Sequence, residues 1–185
     1  MHHIYTTPAF VVSSLPKGEA GKSLLLFTRD FGMIWATAQG IRLEQSKLRH
    51  HIQDYSFSYV SIVRGKEMWR LTGAGELEEK IKPSKLYVRI LNVLKRLLTG
   101  EEKNEKLFEI IETSAQASFD EKDTEFVECI IMLRILNALG YISNKKEFEQ
   151  FLADNSLAPG LIEEMKKVKL LVVQEINSAL KESQL

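Results

Sequence analysis

The sequence predicts an α+β chain: a five-stranded β-barrel, most simply an OB-fold, followed by an all-α unit. Three observations carry this. Over the first 75 residues, short β-branched and aromatic runs are separated by glycine-bearing turns. From Lys82 onward, apolar residues recur every three or four positions. Seven of the ten glycines fall before residue 76, so the punctuation changes where the period changes.

Ile4–Ser13 is the first predicted strand, and Leu24–Thr28 and Met33–Ala38 are short apolar runs after it. Tyr55–Arg64 alternates, with Tyr55, Phe57 and Tyr59 on one face and Val60 and Ile62 on the other after a bulge. Arg64-Gly65-Lys66-Glu67 has the length and composition of a hairpin loop leading into Met68–Leu77. Five short strands fit a small barrel; the OB-fold is the commonest of that size, and an SH3-like barrel has the same periodicity.

The helical unit begins at Pro83-Ser84. A first helix carries Leu86, Ile90, Leu91, Leu94, Leu97 and Leu98 and stops at Gly100. Asn104 caps a second through Ala115, and Asp120 or Asp123 opens a third that ends at Gly140. Asn144 with Glu147 forms a capping-box pattern for a short fourth helix, and Pro159 opens a last one. The expected division is residues 1–80 and 81–185.

Composition excludes several classes. The chain has 44% apolar and 27% charged residues, and no apolar run approaches the roughly 20 residues of a spanning helix. No leader-like segment is recognisable at the start, which points to the cytoplasm. Cys129 is the single cysteine, so neither an internal disulfide nor a thiolate zinc site is expected. Without a long heptad seam, a monomer is expected.

Pro16-Lys17-Gly18-Glu19-Ala20-Gly21-Lys22-Ser23 is one residue short of a phosphate-binding loop, with Pro16 where glycine is required. Ser23 opens an apolar run too short for the helix that such a loop needs, so the stretch reads as a glycine-rich turn between strands. His50 and His51 are adjacent and diverge on a strand; Met1-His2-His3 reads as a terminus; Cys129 sits at helical spacing as a buried thiol. The Glu-rich stretches Glu76–Glu79 and Glu101–Glu105 read as solvated turns. No catalytic constellation is present, and no cofactor is expected.

Zero net charge conceals an asymmetry. Residues 1–75 hold nine Lys or Arg against five Asp or Glu, whereas the remainder holds 16 against 20. A basic barrel rich in aromatic side chains has what single-strand binding requires: cations along the phosphates and ring faces for the bases. Most of the aromatics are expected inside the barrel and about two outside. Lys17, Lys22, Arg29, Arg42, Lys47 and Arg49 lie in or beside the loops after strands one to three and are the candidate DNA-binding residues. A peptide-binding scaffold and an RNA-binding barrel are the competing readings.

The order of residues adds a resemblance. Ala9-Phe10-Val11-Val12, Gly18-Glu19-Ala20-Gly21-Lys22-Ser23-Leu24 and Leu26-Phe27-Thr28-Arg29-Asp30-Phe31-Gly32 follow one another as in the N-terminal domain of the RecO family. Ala38-Gln39-Gly40-Ile41-Arg42, Ser46-Lys47-Leu48-Arg49, Trp69-Arg70-Leu71-Thr72 and Glu76-Leu77 continue the pattern. Leu136-Asn137-Ala138-Leu139-Gly140-Tyr141 resembles a helix end in the family's C-terminal half. The resemblance implies an OB-fold followed by a helical domain. It also implies binding of single- and double-stranded DNA, strand annealing, and help in loading RecA onto strands coated by single-stranded-DNA-binding protein (SSB). RecR and the acidic, Phe-ended SSB tail are the implied partners, with no chemical step. The tail is expected on the helical half, near Lys95, Arg96 and Arg134. Three departures stand out: no cysteine lies in 142–156, where many relatives carry a four-cysteine zinc module; the chain is short; and Gln39 replaces a frequent lysine.

Overall fold

The computed structural model describes residues 3–75, 81 and 83–183. Met1, His2, the Glu76–Glu79 turn and the Leu77 end of the fifth strand lie outside these residues. The chain divides into two compact units: 1–83 with 98–105, and 84–97 with 106–185.

In the first unit, β1 (Ile4–Lys17), β2 (Gly21–Thr28), β3 (Gly32–Ala38), β4 (Phe57–Arg64) and β5 (Trp69–Gly75) close in the order β1-β2-β3-β5-β4. β1 is antiparallel to both β2 and β4, and β3 meets β5 in parallel through Ala36–Trp69 and Thr37–Arg70. This order and its parallel closure are those of an OB-fold, which removes the SH3-like alternative. β1 can serve two neighbours because its register with β2 skips Val12, a bulge that bends the strand. The bulge expected in the fourth strand lies instead on β5, where Thr72 is skipped between the Ser61–Gly73 and Ile62–Leu71 pairs. Within β4, Tyr59 and Val60 face opposite sides simply because they are consecutive.

Alternate residues fill the barrel: Ala9 and Val11, Leu24 and Leu26, Ile34, Ala36 and Ala38, Val60 and Ile62, Trp69 and Leu71. Ile41 and Ile52, from the β3–β4 connection, complete it. This parity sends most of the large rings elsewhere. Trp69 is in the core with Tyr5 and Phe31 against it, but Phe10, Phe27 and Phe57 occupy the opposite faces of their strands. They stack on one another outside the barrel interior and are buried there, with Phe10 6.5 Å from Phe27 and 4.2 Å from Phe57. Small aliphatic residues take the interior because a five-stranded barrel is narrow. Trp35 and Tyr59 are the exposed large aromatics among the described residues of this unit.

Residues 98–105, read from the sequence as turn and helix start, belong with the barrel. Glu101 pairs with Arg64, and Lys103 Nζ lies 4.0 Å from Asp30. Gly32 has φ +67°, and a Cβ there would overlap the Glu102 backbone. Gly32→Ala therefore combines left-handed strain with a clash. It is expected to destabilise the barrel by about 2 kcal/mol, lowering its melting temperature by roughly 10 °C. An unchanged thermal transition by circular dichroism would mean that residues 98–105 are not seated there.

In the second unit, Ser84 Oγ accepts from the Tyr87 amide at 3.1 Å and caps α1 (Lys85–Leu97). α2 spans Glu105–Gln116 and α3 Thr124–Ala138. α3 is apolar around most of its circumference, with Val127 and every residue from Cys129 to Leu136 buried, because α1, α4 (Glu149–Leu152) and α5 (Pro159–Glu182) pack around it. The Asn144–Glu147 capping box does not form. Asn144 Oδ1 accepts from Asn137 Nδ2 at 2.8 Å, and the fourth helix is one 3-10 turn, Lys146–Phe148, running into one α turn. Cys129 is buried, and burial raises its thiol pKa.

Candidate nucleic-acid interface

The near-match to a phosphate loop resolves into strand, turn and strand. Pro16 and Lys17 end β1, Gly18–Ala20 turn, and Gly21 opens β2. A Cβ at Gly21 would come within 2.6 Å of the Lys17 carbonyl oxygen, so this tight return requires glycine. No helix follows to present its N-terminus to a phosphate.

The turn instead forms one bank of a groove of about 500 Å³. The β4–β5 turn forms the other bank, and the end of β3 forms the floor. Lys17 and Lys22 enter from the first bank, Lys66 and Arg70 from the second, and Glu67 is the only carboxylate among the described lining residues. Lys17 Nζ reaches Met68 Sδ across the groove at 3.3 Å, and Lys22 Nζ donates to Ser14 Oγ at 3.2 Å. On the floor, Thr37 stands in register with Arg70 on β5 and Ser23 on β2. Four cations around one open, shallow concavity can hold several phosphates of a flexible strand.

Of the six residues expected to bind DNA, Lys17 and Lys22 meet in this groove. Arg42 adjoins it, since its backbone amide donates to the Ala20 carbonyl at 2.9 Å, and its side chain is exposed. Lys47 and Arg49 are exposed on a 3-10 turn, Lys47–His50, of the β3–β4 connection. Arg29 lies beyond the other end of β2, about 23 Å from Lys22 at 3.3 Å per residue, so the groove does not include it. Lys66 and Arg70 were not among the six. Their signal is the Arg64–Glu67 hairpin loop, because the first and fourth loops of an OB-fold flank its binding face.

On the helical unit, Lys95 and Arg96 are exposed in the last turn of α1. The Tyr87, Leu91 and Leu94 stripe is buried in helix packing, and burial raises the Tyr87 pKa. Arg134 faces inward and is 3% exposed. Its Nε donates to the Phe151 carbonyl at 2.6 Å and its Nη2 to the Ser156 carbonyl at 2.8 Å. Burial lowers its pKa to about 10, with the Asp154 carboxylate opposing that shift. A polar hollow of about 330 Å³ beside the 151–156 segment is lined by Lys106, Lys145, Lys146, Glu149, Asn144 and Leu152, among others, and Lys145 Nζ is already held by the Glu175 carboxylate at 2.7 Å. Among the described residues, no three His, Cys, Asp or Glu gather to hold a metal, and no helix is long and apolar enough to cross a membrane.

Comparison with known proteins agrees with this architecture. The family described as "Recombination protein O N terminal" matches residues 1–78. A DNA repair protein RecO from Dehalococcoides mccartyi strain 195 is 24% identical over 151 residues, covering 78% of this chain and 60% of that protein. The protein of the same name from strain CBDB1 is 36% identical over 76 residues, 41% of this chain and 30% of that one. The Heliobacterium modesticaldum protein is 29% identical over 143 residues, 75% of this chain and 52% of that one. The match to these curated relatives thus spans between about a third and three-fifths of their own length. Residues 1–78, which hold the OB-fold barrel, match the N-terminal domain of the RecO family, and the similarity to proteins named DNA repair protein RecO runs on into the helices.

Proposed function

We propose that the protein is a non-catalytic DNA-binding mediator of recombinational repair. Its barrel binds single-stranded DNA, and duplex DNA more generally, through the four-cation groove. The observation that carries this is the convergence of Lys17, Lys22, Lys66 and Arg70 on one concavity from two separate hairpins, β1–β2 and β4–β5. The similarity to RecO proteins supports extending the proposal to strand annealing and assistance to RecA on SSB-coated DNA, with RecR and the SSB tail as partners. For the tail, the helical unit offers exposed Lys95 and Arg96, with Lys106 and Lys146 of its polar hollow, as cations that suit carboxylates. Arg134 contributes from behind, by holding the 151–156 segment.

Fluorescence anisotropy with a labelled single strand tests the reading. Neutralising about four phosphates gives a log–log salt slope near −2.8, a loss of about fifty-fold between 50 and 200 mM salt. A slope near zero would remove the electrostatic basis of the proposal. Arms with duplex DNA and with RNA of matching sequence separate a DNA mediator from an RNA-binding barrel.

A further inference from the structure

Trp35 stands on the outer face of β3, two residues before Thr37, and is 39% exposed. Its register partner on β2, Leu25, is 5% exposed, so the indole rests on a filled surface while part of it remains open to solvent. Two residues along a strand cover about 7 Å, so the ring lies close to the Thr37–Arg70 floor of the cationic groove and on the same sheet face. β3 lies between β2 and β5, hydrogen-bonded on both sides, and it presents the ring on a stiff support.

A single exposed tryptophan is ordinary on a protein surface, and what singles out Trp35 is its place on the groove's own sheet face, two residues from Thr37. Beside a groove suited to phosphates, the ligand chemistry that matches both features is a nucleotide with an unpaired base: the phosphate goes to the cations and the base to the indole. Resting on the proposed groove, we infer that Trp35 is a base-stacking platform and that it gives the barrel a preference for single strands over paired ones. In a duplex the faces of the bases are already stacked and cannot meet the ring. The preference is indifferent to sequence, because every base has a face to offer.

The test compares a thymine oligonucleotide with an abasic sugar-phosphate oligomer of equal length and charge, using the full chain. The wild type is expected to bind the thymine strand about tenfold more tightly, in the range measured for one stacked base. Trp35→Ala is expected to abolish that preference and leave the salt slope unchanged, whereas Trp35→Phe retains part of it. Trp69 is buried in the core, so quenching of tryptophan emission by the thymine strand should be lost in Trp35→Phe. Equal binding of both polymers by the wild type, or a preference that survives Trp35→Ala, overturns the stacking role while leaving the groove intact. Failure of the wild type to bind either polymer overturns the groove and the stacking role together. Binding with no salt dependence, combined with a thymine preference lost in Trp35→Ala, would overturn the groove alone.

Discussion

Replacing Lys22 and Arg70 together by alanine is expected to weaken single-strand binding about sixtyfold at 50 mM salt and only about tenfold at 200 mM. These two residues come from opposite banks of the groove, and neither adds to the apolar core. Each phosphate contact on a single strand adds about 0.7 to the salt exponent, so losing two of about four moves the slope from near −2.8 to near −1.4. Extrapolation to about 1 M, where counterion release no longer contributes, gives the two ratios. The double variant Arg42→Ala plus Arg49→Ala, at the edge of the groove and beyond it, should cost less at both concentrations. Arg29→Ala, beyond the far end of β2, should leave the slope alone. A Lys22/Arg70 variant that keeps the wild-type slope would move the DNA away from this groove.

Arg134→Met is expected to cost the helical unit about 3 kcal/mol and roughly 15 °C of melting temperature. Methionine replaces the apolar stem as far as Nε but not the guanidinium beyond it, and the carbonyls of Phe151 and Ser156 lose charged donors worth about 1.5–3 kcal/mol each. Arg134→Lys should rescue only partly, since one ammonium cannot reproduce a planar fork that reaches two acceptors. The folded pKa, about 10, lies below the unfolded value, so burying this charge is itself a cost. That cost is relieved only as pH rises through about 10 toward the unfolded value. Between about pH 5 and 9 the residue is charged in both states, and its contribution should be flat. Melting curves at three pH values check both points. An unaltered transition would put the guanidinium in solvent and restore it as a direct ligand for an acidic tail.

The two periodicities were enough to read the architecture, because parity and the helical repeat are local properties. Gly, Pro and Ser punctuation placed most strand and helix ends, including the Pro159 start of α5. What escaped depends on distant pairing. The bulge at Thr72 is set by the strand opposite it, and no pattern within Tyr55–Arg64 could place it. The interior position of Ala9 and Val11 decides that Phe10 faces away, although hydrophobicity alone would put Phe10 inside. At the site, Lys17 and Lys22 were legible from a turn that carries its own motif. Lys66 and Arg70 join them only through closure of β3 onto β5. Arg134 was visible as a lone base among apolar neighbours, but its acceptors lie 17 and 22 residues away.

The return of residues 98–105 to the barrel bears on the order in which the protein is made. All the described strand residues are made once Gly75 has emerged from the ribosome, yet the Glu101 and Glu102 contacts against Arg64 and Gly32 come later. By then the chain has already passed through α1 of the other unit. At about 5–20 residues per second, the barrel waits a few seconds for its last piece. During that interval the Gly32 turn is uncovered, and a fragment ending at Pro83 would hold it in that state permanently.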